Sequence, residues 1–498
     1  MGHRRITFPG NKQTPTNLLQ MAVPLIKRTF SSLPSDQIPQ PQTLISSVVS
    51  ILKHHRSKSR WSYLQSLYPT GFNPEEVSQI TLHLKNNPRL ALSFFLWSQQ
   101  KSLCTHNLLS YSTIIHILAR SRLKSQAQTL IRTAIRVTES ASTDDSDPLS
   151  DSPPKIFETL VKTYRTCGSA PFVFDLLIKS CLEAKRIDGS LAIVRMLRSR
   201  GINPKVSTCN ALVSRVLRCR GVNAGYTIYR EVFGLNNELK EKFSVGICPN
   251  VHTFNALMVC YYQEGMTEKL EEIWYEMRKL NCFPNGYSYS ILMAAYCDEG
   301  EVGEAEKVWE EMRIKGMEPD VVAYNTMIGG FCRIGEIGRA EEFYGEMMLS
   351  GVESTCVTYE HLINGHCKIG DVDAAILLYK DMCRKDFRAE ALTVDAVIRE
   401  LCDKKRISEA LEFLRIAMKN HDFCANVNSY WVLIKGLCQE RKMEEALKLQ
   451  AEMVGKGFKP NLEIYSSFID GYVKRGDEKM AEILRKEMFE IQMRGEED

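Results

Sequence analysis

The 498-residue chain has no run of 18 or more apolar residues, so no membrane-crossing helix and no membrane partner are expected. No C-x-x-C occurs among its 16 cysteines, which removes the usual spacing of a zinc knuckle or a dithiol redox motif. The G-x-x-x-x-G-K-S/T phosphate loop, the H-E-x-x-H zinc motif and the G-x-S-x-G nucleophile elbow are absent. So is the H-x-E with P-C-x-x-C pattern of nucleobase deaminases. No alternating β-branched run suggests a strand. These gaps leave no catalytic residue, no metal site, no cofactor and no small-molecule substrate to name. The acidic run Asp144, Asp145, Asp147 and Asp151 lies in a Ser/Pro-rich stretch with nothing to impose octahedral geometry, and reads as part of a disordered insertion near 138–153. His252, His361, His366 and His421 have no partner at metal spacing and read as surface or packing residues.

What the chain does have is a pattern that returns every 35 residues. Tyr289, Tyr324 and Tyr359 open three segments; Cys297, Cys332 and Cys367 follow, then Ala305, Ala340 and Ala375, then Met312, Met347 and Met382. Phe254, Leu270 and Met277 carry the pattern upstream, and Val394, Cys402 and Ala410 carry it downstream. One extra residue then shifts the phase, and Tyr430, Cys438, Ala446 and Met453 resume it before a last unit marked by Tyr465, Ala481 and Met488. Residues 171–205 still fit, 206–250 fit with extra residues near 235–244, and 73–107 and 108–137 read as divergent units. Residues 154–170 read as one helix without a partner. A fixed period of this size marks a stacked-repeat protein.

Each unit reads as two helices. In 321–355, Tyr324, Met327, Ile328, Phe331 and Cys332 share one helical face, Gly335 breaks the helix, and Ile337, Ala340, Phe343, Tyr344 and Met347 line a second helix that stops at Gly351. The expected fold is all-α: an α-solenoid superhelix of antiparallel helix-turn-helix repeats of about 35 residues, stable only because the pairs stack. Cys297, Cys332, Cys367, Cys402 and Cys438 share one repeat position, too far apart along a stack for disulfides, and read as small buried residues between helices.

Residues 321–347, V-V-x-Y-N-T-M-I-G-G-F-C-R-I-G-E-I-G-R-A-E-E-F-Y-G-E-M, resemble the pentatricopeptide repeat, as do the repeat endings P-N at 249–250, 284–285 and 460–461 and P-D at 319–320. The tetratricopeptide repeat shares the mid-repeat alanine, but its period is about 34 and it wants an early tryptophan and glycine that this chain lacks. The resemblance is to the P-type proteins of the plant organellar family. It implies an array over 171–498 that binds single-stranded organellar RNA without covalent chemistry, each repeat meeting one nucleotide. In the family, the fifth and last residues of a repeat choose the base. Carried over, Asn210 with Asn250 and Asn255 with Asn285 resemble pyrimidine readers, cytosine somewhat favoured; Ser290 with Asp320 resembles a guanine reader; Asn325 with Thr355 is a weaker pyrimidine reader. Val322 and Val357 stand where the family clamps bases, with Tyr287, His252 and Leu392 in the same place elsewhere. Asp175 with Lys205, Glu360 with Glu390, Asp395 with Asn426, and Trp431 with Asn461 depart from the family's code. Arg218, Arg333, Lys368 and Lys474 fall near where the family runs the RNA backbone; Asp298 and Asp403 depart from that pattern. The small number of reading units motivates an alternative, a structural or protein-docking component of a mitochondrial ribonucleoprotein such as the ribosome.

The amino terminus differs from the rest. Residues 1–30 hold Arg4, Arg5, Lys12, Lys27 and Arg28 and no acidic residue, as in an organellar transit peptide. Arg28-Thr29-Phe30-Ser31-Ser32 resembles a mitochondrial processing site after Phe30, so the expected destination is the mitochondrion, with the chloroplast as the alternative. Removing this leader turns the formal charge of +4 into about −1, so any RNA contact has to come from a locally basic groove. The expected organisation is a leader over 1–30, a linker and amino-terminal segment over 31–72, divergent helical repeats over 73–170, and the repeat array over 171–498.

Overall fold

The computed structural model describes residues 41–54, 59–140, 155–235, 247–420 and 426–495. The basic leader, the run Asp144 to Asp151, nearly all of the insertion near 235–244, and His421 lie outside these residues. The described residues form 25 helices and no strand. By contacts the chain divides into two compact units, Met1–Pro204 and Lys205–Asp498.

In the first unit, Pro41–His54 and Ser59–Leu67 are helical. Pro74–His83 then packs on Leu108–Arg120, which packs in turn on Lys155–Cys167. Helix Leu108–Arg120 is buried along its middle, from Ser110 to Ala119. It carries His116, whose Nδ1 lies 2.6 Å from Ser169 Oγ and whose Nε2 lies 3.0 Å from the Leu160 carbonyl. Burial holds that imidazole near pKa 4, hence neutral at pH 7. The helix expected to stand alone over 154–170 therefore has a place: Lys155–Cys167 stacks as a first helix on Leu108–Arg120.

The second unit holds eight helix pairs. Its first helices are Val206–Arg220, Val251–Gln263, Gly286–Glu299, Val321–Ile334, Cys356–Ile369, Ala391–Asp403, Val427–Gln439 and Leu462–Arg475. Each is followed by a second helix, and consecutive first helices pack directly on one another. Local sequence explains the ends. Asn250, Asn285, Asp320, Asn426 and Asn461 are N-caps whose side chains accept the backbone N–H three residues on. Gly335 ends its helix with φ at +87°, a conformation that glycine adopts without steric cost.

Packing between pairs repeats with the same period. Trp274 meets Tyr289 and Trp309 meets Tyr324, each edge-on at 5.0 Å between ring centres. These tyrosines are buried to the ring, and the hydroxyl finds a carboxylate on the following second helix: Tyr289 donates to Glu311 at 3.1 Å, Tyr359 to Asp381 at 2.6 Å and Tyr430 to Glu452 at 3.2 Å. The five phased cysteines lie where the sequence places them, between helices. The sulfurs of Cys297, Cys332 and Cys402 each meet a glycine of the next first helix, and Cys438 meets one through its Cβ. A methyl group on Gly365 would lie 2.8 Å from the Cys332 sulfur, and one on Gly436 3.3 Å from that of Cys402. Gly330 over Cys297 is tighter still, and Gly471 covers Cys438. Burial pushes all five thiols up to about 12, so they stay protonated.

Candidate nucleic-acid interface

The fifth residue of each first helix in the second unit faces the start of the next first helix, and the last residue of a repeat is that next helix's N-cap. At four of the junctions the two side chains are hydrogen-bonded. Asn210 Nδ2 donates to Asn250 Oδ1 at 2.9 Å. Asn255 Nδ2 donates to Asn285 Oδ1 at 3.2 Å, and Asn325 Nδ2 to Thr355 Oγ1 at 3.2 Å. Three of the four residue pairs carried over from the family are thus in direct contact.

Ser290 and Asp320 are arranged differently. The Ser290 hydroxyl donates to its own helix, at the Gly286 carbonyl 3.0 Å away, while Asp320 Oδ1 accepts the Ala323 N–H at 2.9 Å. No hydrogen bond between the two side chains is present. The residues that depart from the family's code also sort themselves. Asn426 Nδ2 donates to Asp395 Oδ2 at 3.2 Å, the same two positions meeting with the donor direction reversed, and Asn428 adds a second donor to the same oxygen at 2.9 Å. Glu360 instead accepts the backbone N–H of Glu390 at 2.8 Å. Trp431 is half-buried under Lys435, whose ammonium lies 5.1 Å from the ring centre, beside a hollow lined by Ser466, Asp470 and Lys474.

A third residue at each junction carries no signal in the pairwise reading. Thr253 Oγ1 donates to Asn210 Oδ1 at 2.7 Å, Ser288 Oγ to Asn255 Oδ1 at 2.6 Å, and Thr358 Oγ1 to Asn325 Oδ1 at 2.7 Å. Ser429 makes the same approach to Asp395. Each is the third residue of its helix, and the recurrence of Ser or Thr there is the trace of it in the sequence.

Exposure separates two stripes. The fifth residues are recessed: Asn255 is 6% exposed and Ser290 4%. The second residues stand out: Tyr287 is 52% exposed, Val322 53%, Val357 46% and Leu392 72%. Four large apolar side chains at a spacing of 35 on one stack of helices form an unusual solvent-facing row. It flanks the recessed polar groups.

The four candidate backbone cations are not equivalent. Arg333 is ion-paired with Asp298, one repeat upstream, and donates to the Cys297 carbonyl at 3.2 Å. Asp298 also accepts from Tyr262 Oη at 2.7 Å. Lys368 donates to the Arg333 carbonyl. Arg218 and Lys474 are exposed near the ends of their helices and make no hydrogen bond or ion pair among the described residues. No group of three or more potential metal-ligating side chains occurs among the described residues.

A family model described as "PPR repeat family" matches residues 249–298, 291–333, 319–365, 354–403 and 425–474, and one described as "PPR repeat" matches 463–493. A pentatricopeptide repeat-containing protein of Arabidopsis thaliana is 57% identical over 503 residues, spanning 99% of this chain and 99% of that protein. Another from the same plant, named mitochondrial, is 27% identical over 200 residues, which cover 40% of this chain and 36% of that protein. Among solved structures, the maize pentatricopeptide repeat protein PPR10 matches at 15% identity with a TM-score of 0.41, covering 95% of this chain and 82% of that chain. Yeast Rmd9p in complex with a 16-nucleotide target RNA matches at 10% identity with a TM-score of 0.36, covering 84% of this chain and 96% of that chain.

Proposed function

The chain belongs to the pentatricopeptide repeat family, and from that premise we propose that it binds single-stranded RNA along the stacked first helices of the Lys205–Asp498 unit. The observation that carries this reading is the meeting of fifth and last residues at three of the four junctions carried over from the family, recessed beside an exposed apolar row. Short amides and hydroxyls on rigid helices suit the Watson–Crick edge of an unstacked base. Flanking valine, tyrosine and leucine side chains suit its face, which every base offers alike. The core sequence read from the amino to the carboxyl end, 5′ to 3′, is pyrimidine-pyrimidine-G-pyrimidine, from Asn210/Asn250, Asn255/Asn285, Ser290/Asp320 and Asn325/Thr355. Arg218 and Lys474 supply phosphate contacts, while Arg333 and Lys368 do so only by exchanging a partner they already hold.

Binding alone accounts for the activity: an occupied segment is shielded from exonucleases and kept out of competing hairpins, which serves transcript stability, processing, splicing or translation. No covalent step is required. The basic leader over 1–30 and the relatives named mitochondrial support the mitochondrion as the site of action. Within this reading the recognition array extends over 171–498, behind divergent repeats over 73–170.

The test is equilibrium binding of the full chain to short RNAs containing the core, with G or C at the third position. The wild type favours G there, and the double exchange Ser290→Asn with Asp320→Asn moves the preference to a pyrimidine. Equal affinity for all the RNAs, unchanged by the exchange, removes the reading.

A further inference from the structure

The hydroxyls of Thr253, Ser288 and Thr358 sit in a chain of hydrogen bonds whose direction is set by the backbone. At each junction the N-cap N–H donates to the hydroxyl oxygen: Asn250 to Thr253 at 3.1 Å, Asn285 to Ser288 at 3.2 Å, Thr355 to Thr358 at 2.9 Å. An oxygen that accepts there turns its own hydrogen outward, onto the Oδ1 of the fifth-residue asparagine. In the asparagine-capped junctions the cap Oδ1 is itself fixed as an acceptor, because it takes the N–H of Thr253 at 3.2 Å or of Ser288 at 3.0 Å. The amide of the fifth residue then has one low-energy orientation, oxygen to the hydroxyl and nitrogen to the cap. The flipped amide would set oxygen against oxygen at the cap and would forfeit the hydroxyl's bond to the fifth residue, its hydrogen turning instead to the cap Oδ1, 3.2 Å from Thr253 Oγ1 and 2.8 Å from Ser288 Oγ.

Resting on the RNA-binding reading above, we infer that Thr253 and Ser288 are positioning residues that lock the amide flip of Asn210 and Asn255 and so let these repeats tell cytosine from uracil. The two pyrimidines present opposite patterns on the same edge: cytosine a donor at N4 and an acceptor at N3, uracil an acceptor at O4 and a donor at N3. An asparagine free to flip serves either pattern. A locked one, with one N–H and one lone pair left at fixed places, serves one better than the other. Asp395 supplies an internal contrast. Ser429 donates to it in the same way, but a carboxylate has two like oxygens and no flip to lock.

The experiment is titration of the full chain with short RNAs that differ only by C or U at the register of Asn210 or Asn255. Thr253→Val and Ser288→Ala lower the C-to-U affinity ratio at their own register by about 2- to 10-fold, the size of one ordinary hydrogen bond. Thr253→Ser keeps the wild-type ratio, and Ser429→Ala, which loses an equivalent bond, leaves the ratios at the asparagine registers unchanged. The proposal is overturned if the two variants weaken binding to C and U alike, or if Ser429→Ala erodes the ratios as much as they do. A wild-type protein that is selective for G at the third position but whose variants keep their C-to-U ratios overturns this inference alone; a wild type blind to sequence overturns the RNA reading and the inference with it.

Discussion

Replacing Asn285 with alanine removes a helix cap and the partner of Asn255 in one step. A lost asparagine cap costs about 1 kcal/mol, and the orphaned amide beside it adds to that. Asp320 caps its helix without bridging to Ser290, so Asp320→Ala costs only the cap. Urea melts therefore place Asn285→Ala below Asp320→Ala by about 0.5–1 kcal/mol. Equal losses would mean that the Asn255–Asn285 contact contributes nothing to stability. The phase of the repeats was enough to bring Asn210, Asn255 and Asn325 opposite their partners on paper. An asparagine at that place is readable either as a base partner or as a helix start, and the structure makes Asn250 and Asn285 caps that also hold the fifth residue. Asp395 and Asn426 depart from the family's code and still meet, because a carboxylate accepts from the cap amide as readily as a carbonyl does.

Helix ends show the same mixture at the scale of the element. The turn between first and second helices takes a left-handed residue, and glycine fills it at 265, 300, 335, 370 and 476. Lys405 and Arg441 occupy the equivalent place with φ of +61° and +63°. A side chain there costs about 1–2 kcal/mol, partly offset by the greater freedom of glycine in the unfolded chain. Lys405→Gly thus stabilises the protein by about 0.5–1 kcal/mol, read as a higher urea midpoint with an unchanged slope. A lower midpoint would show that the lysine makes a contact worth more than the strain. Helix pairing and the glycine breaks were legible from spacing alone, since apolar faces and left-handed turns leave direct marks. The glycines that receive Cys297, Cys332, Cys402 and Cys438 were not, because each lies about a repeat away and shows only when two first helices are brought together. The partner of Lys155–Cys167 was hidden likewise: the contact to Leu108–Arg120 spans the acidic stretch and follows no phase.

For the whole molecule, charge limits how RNA can be held. Exposed ion pairs such as Arg333 with Asp298 neutralise cations along the stack, and residues 31–498 are nearly neutral in formal charge. Single-stranded RNA binding should then depend weakly on salt, with a log–log slope of about −1.5 to −3 for two to four phosphates. Arg218→Ala and Lys474→Ala each flatten that slope by about 0.7, while Arg333→Ala changes it less because that guanidinium is already paired. A steep slope insensitive to Arg218 and Lys474 would place the backbone elsewhere on the protein. With little electrostatic grip, affinity has to come from base faces against the apolar row and base edges against the junctions, so sequence preference is the property on which the account stands. The most direct measurement is selection of bound sequences from a randomised RNA pool by the full chain. The account predicts enrichment of a G preceded by two pyrimidines and followed by one, with the G replaced by a pyrimidine when Ser290→Asn and Asp320→Asn are made together; an unenriched pool, or one whose enriched sequence is the same for both proteins, contradicts it.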